Sequence, residues 1–120
     1  MEESLRLAML FDLYGGLLTV KQREIFELYH SDDLSLGEIA ENLGISRQGV
    51  RDALVRSETT LNDAETALGF LAEHQRRSTL LQSIKEDVRV IRRSGYDRLD
   101  RDFAAALSGL ESKLDALIEE

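Results

Sequence analysis

The chain has 120 residues, no cysteine and no proline, 15 Lys+Arg against 23 Asp+Glu, and a formal net charge of −8. That length suits one modest core and leaves no room for a large catalytic cleft beside it, while the lack of cysteine rules out disulfides, thiolate metal sites and a cysteine nucleophile. Every quarter of the chain is net acidic, which excludes a basic arm of the kind that holds random nucleic acid by releasing counterions.

Leu, Ala, Glu and Arg dominate, and with proline absent the composition predicts an all-α fold. The expected architecture is a helix-turn-helix head of four short helices over residues 1–57, followed by a helical tail over 58–120 made of a long helix and a C-terminal helix. The apolar run Leu7-Ala8-Met9-Leu10-Phe11 is too short to cross a bilayer and Met1-Glu2-Glu3 does not open a secretory signal, so no membrane insertion is expected and the protein is read as cytoplasmic.

The first helix is predicted from about Ser4 to Tyr14, apolar around much of its circumference through Leu5, Ala8, Met9, Phe11 and Leu13, and ended by Gly15-Gly16. Thr19 then caps a second helix, with Gln22 closing a capping box and with Ile25, Phe26, Leu28 and Tyr29 mostly inward. His30 and His74 are far apart and are read as solvent-facing, so no metal site is expected.

The stretch from Ser35 to Leu54 follows the residue logic of a helix-turn-helix. Ser35 and Glu38 form a capping box, Ile39, Ala40 and Leu43 give one apolar face, and Ala40 is small where two helices must cross. Gly44 suits a left-handed turn and Ile45 plugs the corner. Ser46 caps a second helix whose Val50 and Leu54 point inward. Arg47, Gln48, Arg51 and Asp52 are left facing out. Arginine can fork onto guanine, glutamine onto adenine, and aspartate can accept from the amino group of cytosine. Ser35, Ser46 and Arg56 complete the candidate nucleic-acid-binding set as phosphate contacts. The three arginines are few, so specific duplex DNA rather than random DNA is the expected partner.

Beyond Ser57, Leu61, Ala64, Leu68 and Leu71, then Leu81, Ile84, Val88 and Ile91, recur at coiled-coil spacing. Gly95 breaks this helix, Asp97 can cap another, and Leu99, Phe103, Ala106, Leu110, Leu114 and Leu117 stripe the last segment. The two stripes should pack on each other, within one chain or between two, and a homodimer is favoured because a two-helix hairpin leaves apolar faces uncovered. Between Lys85 and Arg101, six basic residues outweigh four acidic ones. Arg89, Arg92, Arg93, Arg98 and Arg101 are best read as pairing with Glu86, Asp87, Asp97 and Asp100. No nucleophile stands beside a histidine and no glycine run forms a phosphate loop, so neither an enzyme nor a cofactor is expected.

Leu10-Phe11-Asp12-Leu13-Tyr14, Leu17-Leu18-Thr19 with Lys21-Gln22, Asp32 through Glu41, and Ser46-Arg47-Gln48 with Val50 and Asp52 closely resemble the YlxM family over roughly residues 5 to 60. The same head is similar to region four of sigma factors, which reads promoter DNA. The resemblance implies a DNA-binding regulator. Family members are encoded beside the protein subunit of the signal recognition particle, so it also implies a role in that pathway, either as a regulator or as an adaptor that binds the particle's protein or RNA. Val20 stands where the family pattern has proline, and Gly49 where it has alanine. Glycine at that place weakens a helix by about 1 kcal/mol and removes a methyl group that could touch thymine.

Overall fold

The computed structural model describes residues 2–94 and 101–119, and among them all regular structure is helical. The helices are α1 (Glu3–Tyr14), α2 (Val20–His30), α3 (Leu36–Leu43), α4 (Arg47–Leu68), α5 (Phe70–Arg93) and α6 (Arg101–Glu119), with a 3-10 turn at Gly15–Leu17. They form two compact units, Met1–Leu71 and Ala72–Glu120.

In the first unit, the caps fall where local chemistry places them. Thr19 and Gln22 exchange backbone and side-chain hydrogen bonds at the start of α2, and Ser35 and Glu38 do the same at the start of α3. Each box satisfies two amide donors that the helix cannot. Glu38 accepts from the Ser35 backbone N–H and its own N–H bonds Ser35 Oγ, which holds its carboxyl below the usual range and keeps it ionised.

Every other element of this unit packs on α4, whose Val50, Leu54, Ser57 and Leu61 are buried on one seam. Two clusters share that seam. Ile25, Ile39, Ala40, Val50 and Leu54 form one, flanked by Leu43 and Ile45, while Leu7, Leu10, Tyr14, Leu18, Phe26, Leu61 and Leu71 form the other. In α1 the buried side is therefore Leu7, Leu10 and Tyr14, and Leu5 and Leu13 are exposed. A helix apolar on most sides does not declare which side its neighbours will cover. Tyr29 is likewise exposed while Ile25 and Phe26 are buried.

Two expectations are corrected here. The fourth helix does not end near Ser57. Ser57 is fully buried and its hydroxyl donates to the Ala53 carbonyl at 2.8 Å, so a residue that reads as polar costs nothing inside, and the helix runs on to Leu68. The break comes at Gly69, whose φ of +67° only glycine adopts freely. His30 is not solvent-facing: its ring lies against Phe26, tilted by 33° with 4.2 Å between centroids, and its Nε2 lies buried 3.7 Å from Glu58 Oε1.

Past that glycine, the first turn of α5 is held by one side chain from far away in sequence and one from the end of α4. Tyr14 Oη donates to Glu65 Oε1 at 2.7 Å, the Phe70 N–H donates to Tyr14 Oη, and the Leu71 N–H donates to Glu65 Oε1 at 3.0 Å. Burial raises the Tyr14 phenol above its ordinary value, and the hydrogen bond to Glu65 adds to the shift.

The second unit is an antiparallel hairpin. Val88 on α5 packs against Leu107 and Leu114 on α6, with Leu81 alongside. Arg92 Nε donates to Glu111 at 2.8 Å, and Lys85 pairs with Asp115. Of the expected stripes only Val88, Leu81 and Leu114 meet here; Leu107, one residue off the expected stripe, is the other buried residue of α6, and Phe103, Ala106, Leu110 and Leu117 are exposed, because the face that packs on α5 is turned from the one the leucine spacing marks. The expected break at Gly95, the cap at Asp97, the start of the stripe at Leu99, and Arg98 lie outside the described residues.

Ala40 is 8% exposed and Val50 fully buried, so Ala40→Glu or Val50→Asp strands a charge at the α3–α4 crossing and should destabilise the head by more than about 3 kcal/mol. Thermal melts followed by circular dichroism check this. For Tyr14, a folded-state pKa above the unfolded value near 10 means its contribution is complete below that pH and lost as pH rises through the folded value. Tyr14→Phe should lower the melting temperature and remove the phenolate absorbance step that appears at highest pH.

Candidate nucleic-acid interface

The turn between α3 and α4 sets the geometry of the site. Gly44 ends α3 at φ +68°, the left-handed region where a side chain would be strained, and its N–H closes on the Ala40 carbonyl. Ile45 packs into the cluster below, and Ser46 Oγ accepts from the Gly49 N–H at 2.9 Å to start α4. A short left-handed corner followed at once by a cap lets two helices cross over Ala40 and Val50. The N-terminal end of α4 then stands clear of the core on its other face.

On that face Arg47, Gln48, Arg51, Asp52 and Arg56 are all exposed, together with the caps Ser35 and Ser46. Among the described residues, Arg47, Arg51 and Arg56 form no ion pair. Their charges are therefore not spent within the protein. Gln48 Nε2 donates to Asp52 Oδ1 at 2.9 Å, so Asp52 is already an acceptor for its own helix. Arg47 folds back rather than projecting straight out: a Cβ at Gly37 would lie 3.0 Å from its Nη2 and 3.1 Å from its Nε. The guanidinium rests on the backbone of α3, and glycine makes the space for it.

Ser35 shares its cap with the ionised Glu38, so an anion approaching that serine meets a like charge. Ser46 has no such neighbour in its cap and is the better placed of the two for a phosphate. At Gly49 the neighbours of an added side chain belong to the turn itself. A methyl there would sit 3.2 Å from Ser46 Oγ and 3.9 Å from Ile45 Cδ1, against the turn. The residue that the sequence reading passes over is Val55, 54% exposed and one turn beyond Arg51 and Asp52. It places an apolar side chain on the outward face, where alternation of charge and apolar residues at i, i+3, i+4, i+7 would have disclosed it.

In the tail, Glu86 lies within pairing distance of both Arg89 and Arg93, while Arg92 binds Glu111 and Ser108 across the hairpin. Arg89 and Arg93 are partnered by Glu86 as the sequence predicts, Arg92 instead reaches a carboxylate on the facing helix, and the expected partners Asp97 and Asp100 lie outside the described residues. No three His, Asp or Glu side chains converge on a metal-sized site among the described residues. No helix among them is long and apolar enough to cross a membrane.

Two helices crossing through a left-handed glycine corner, the second presenting its capped N-terminus outward, define a helix-turn-helix protein. The family model described as "Putative helix-turn-helix protein, YlxM / p13 like" matches residues 1–98, and the chain belongs to that family. It is 48% identical over 96 residues to a UPF0122 protein of Thermoanaerobacter sp. (strain X514), covering 80% of this chain and 82% of that one. It is 52% identical over 85 residues to a UPF0122 protein of Caldanaerobacter subterraneus subsp. tengcongensis, covering 71% and 73%. It is 40% identical over 117 residues to a UPF0122 protein of Geobacillus kaustophilus, covering 98% of each.

Proposed function

We propose that this protein is a DNA-binding regulator of the helix-turn-helix type, acting by binding and not by catalysis, in the cytoplasm. The observation that carries the reading is the exposed start of α4, where three arginines without an ion-pair partner among the described residues flank a glutamine and an aspartate. In a major groove, Arg51 and Gln48 would meet base edges, with Arg47 swinging off Gly37 to join them, and Ser46 and Arg56 would meet phosphates. The family resemblance extends the proposal to regulation of the signal recognition particle pathway.

The net charge of −8 shapes this function, because non-specific affinity comes from neutralised phosphates. Random duplex DNA should bind too weakly to detect at physiological salt, and a selected site should weaken only modestly as salt rises. Arg47→Ala and Arg51→Ala should each lose about 1 to 3 kcal/mol on that site with an unchanged melting temperature. The same charge is the observation that favours the second reading, an adaptor of the particle, in its protein-binding form, because RNA phosphates would meet the same repulsion as DNA. There the two substitutions would be silent, and retention on the particle would respond to Arg93→Ala instead. Selection from random DNA that enriches nothing, with full retention of the Arg47→Ala, Arg51→Ala protein on the particle, overturns the DNA reading.

We also propose that the protein works as a homodimer held by its tail. After Leu107 and Leu114 are buried against α5, Phe103, Leu110 and Leu117 remain exposed at heptad intervals on α6, as do Ile84 and Ile91 on α5. A second copy would cover them by two-fold symmetry, and paired heads would suit a site of two half-sites. Truncation after Ser94 should give a monomer, read by sedimentation. A full-length chain that is monomeric at micromolar concentration would show that the exposed stripe is not a dimer contact.

A further inference from the structure

Asp52 is the anomaly of the outward face, since it brings a negative charge to a surface that must approach phosphates. Its geometry explains its presence. A carboxylate only accepts, and Gln48 Nε2 donates to Asp52 Oδ1 at 2.9 Å across one turn of α4. The bond has two consequences for the Gln48 amide. It dictates which end is nitrogen, because the flipped amide would set oxygen against oxygen. It also consumes only one of two N–H bonds, leaving the other N–H and the carbonyl oxygen as an adjacent donor and acceptor.

That remaining pair is the complement of adenine in the major groove, which offers N7 as acceptor and N6–H as donor. Guanine offers two acceptors, N7 and O6, and the fixed amide would oppose an acceptor with its own oxygen. We propose that Asp52 is a positioning residue which holds Gln48 as an adenine reader, and does not itself contact cytosine. The inference rests on the DNA-binding reading above.

The experiment begins with a site selected from random duplex DNA by the wild-type protein. At one position that site should carry adenine, and replacing it by guanine or by 7-deazaadenine should weaken binding about tenfold or more. Gln48→Ala should abolish the discrimination. Asp52→Ala should reduce it to a few-fold with an unchanged melting temperature. Asp52→Asn, which keeps an oxygen for Gln48, should restore most of it. An Asp52→Ala protein that keeps its adenine preference and loses a cytosine preference elsewhere overturns the role of Asp52 alone, as does an Asp52→Asn protein no better than Asp52→Ala. A wild-type selection that enriches no sequence overturns the DNA-binding reading and this inference with it.

Discussion

The head depends on the buried seam of α4. Val50, Leu54, Ser57 and Leu61 succeed one another by four, three and four residues, the period that keeps one face of a helix inward. Both apolar clusters close on that face, so the helix that organises the core is also the one whose opposite face is free to meet a ligand. A reading helix on a loop-tethered support would have to be ordered at the moment of binding. Here the burial of the seam has already met that entropy. Ser57 belongs to the same logic: a small side chain that satisfies its own hydroxyl on Ala53 lets the seam pass from one cluster to the other without an orphaned donor.

What was legible in the sequence is what short-range chemistry decides. The caps at Thr19, Ser35 and Ser46 and the left-handed corner at Gly44 need only neighbours within four residues, and the burial of Ile39, Ala40, Val50 and Leu54 follows from helical period once those ends are set. The exposure of Arg47, Gln48, Arg51 and Asp52 is the remainder of the same calculation. Where long-range partners decide, the pattern was silent. Tyr14 reads only as the end of the first helix until Glu65 and Phe70, more than fifty residues on, arrive at its hydroxyl. Ser57 reads as a boundary because its acceptor is its own helix backbone, and His30 reads as a surface residue because nothing local announces the Phe26 ring beneath it. The resting place of Arg47 on Gly37 is a contact across the corner that no periodicity encodes.

The Tyr14–Glu65 pair also shows why α4 and α5 are two helices. A left-handed Gly69 ends the first, and every fresh helix start exposes amide donors. Instead of a serine cap, the chain satisfies two of them with a phenol from α1 and a carboxylate from the helix just ended. The start of α5 is thus tied to the core cluster that holds Leu10, Phe26 and Leu71, by tertiary contacts that form only once the head has folded.

Charge sets the balance between the two functional readings more than shape does. A helix-turn-helix that carries excess positive charge gains affinity for every sequence, and must then discriminate on a high background. An acidic one gains little from phosphates and depends on the few side chains that reach base edges. Under that constraint an aspartate on the reading face is tolerable only if it contributes more to orientation than it loses to repulsion. On the proposed reading, its hydrogen bond to Gln48 would be the feature of the site that meets this condition. The same economy would bear on the tail of the proposed dimer: if single heads bind weakly, two half-sites engaged together would raise affinity through effective concentration without any added positive charge. The half-exposed stripe of Phe103, Leu110 and Leu117 is where such a pairing would be built.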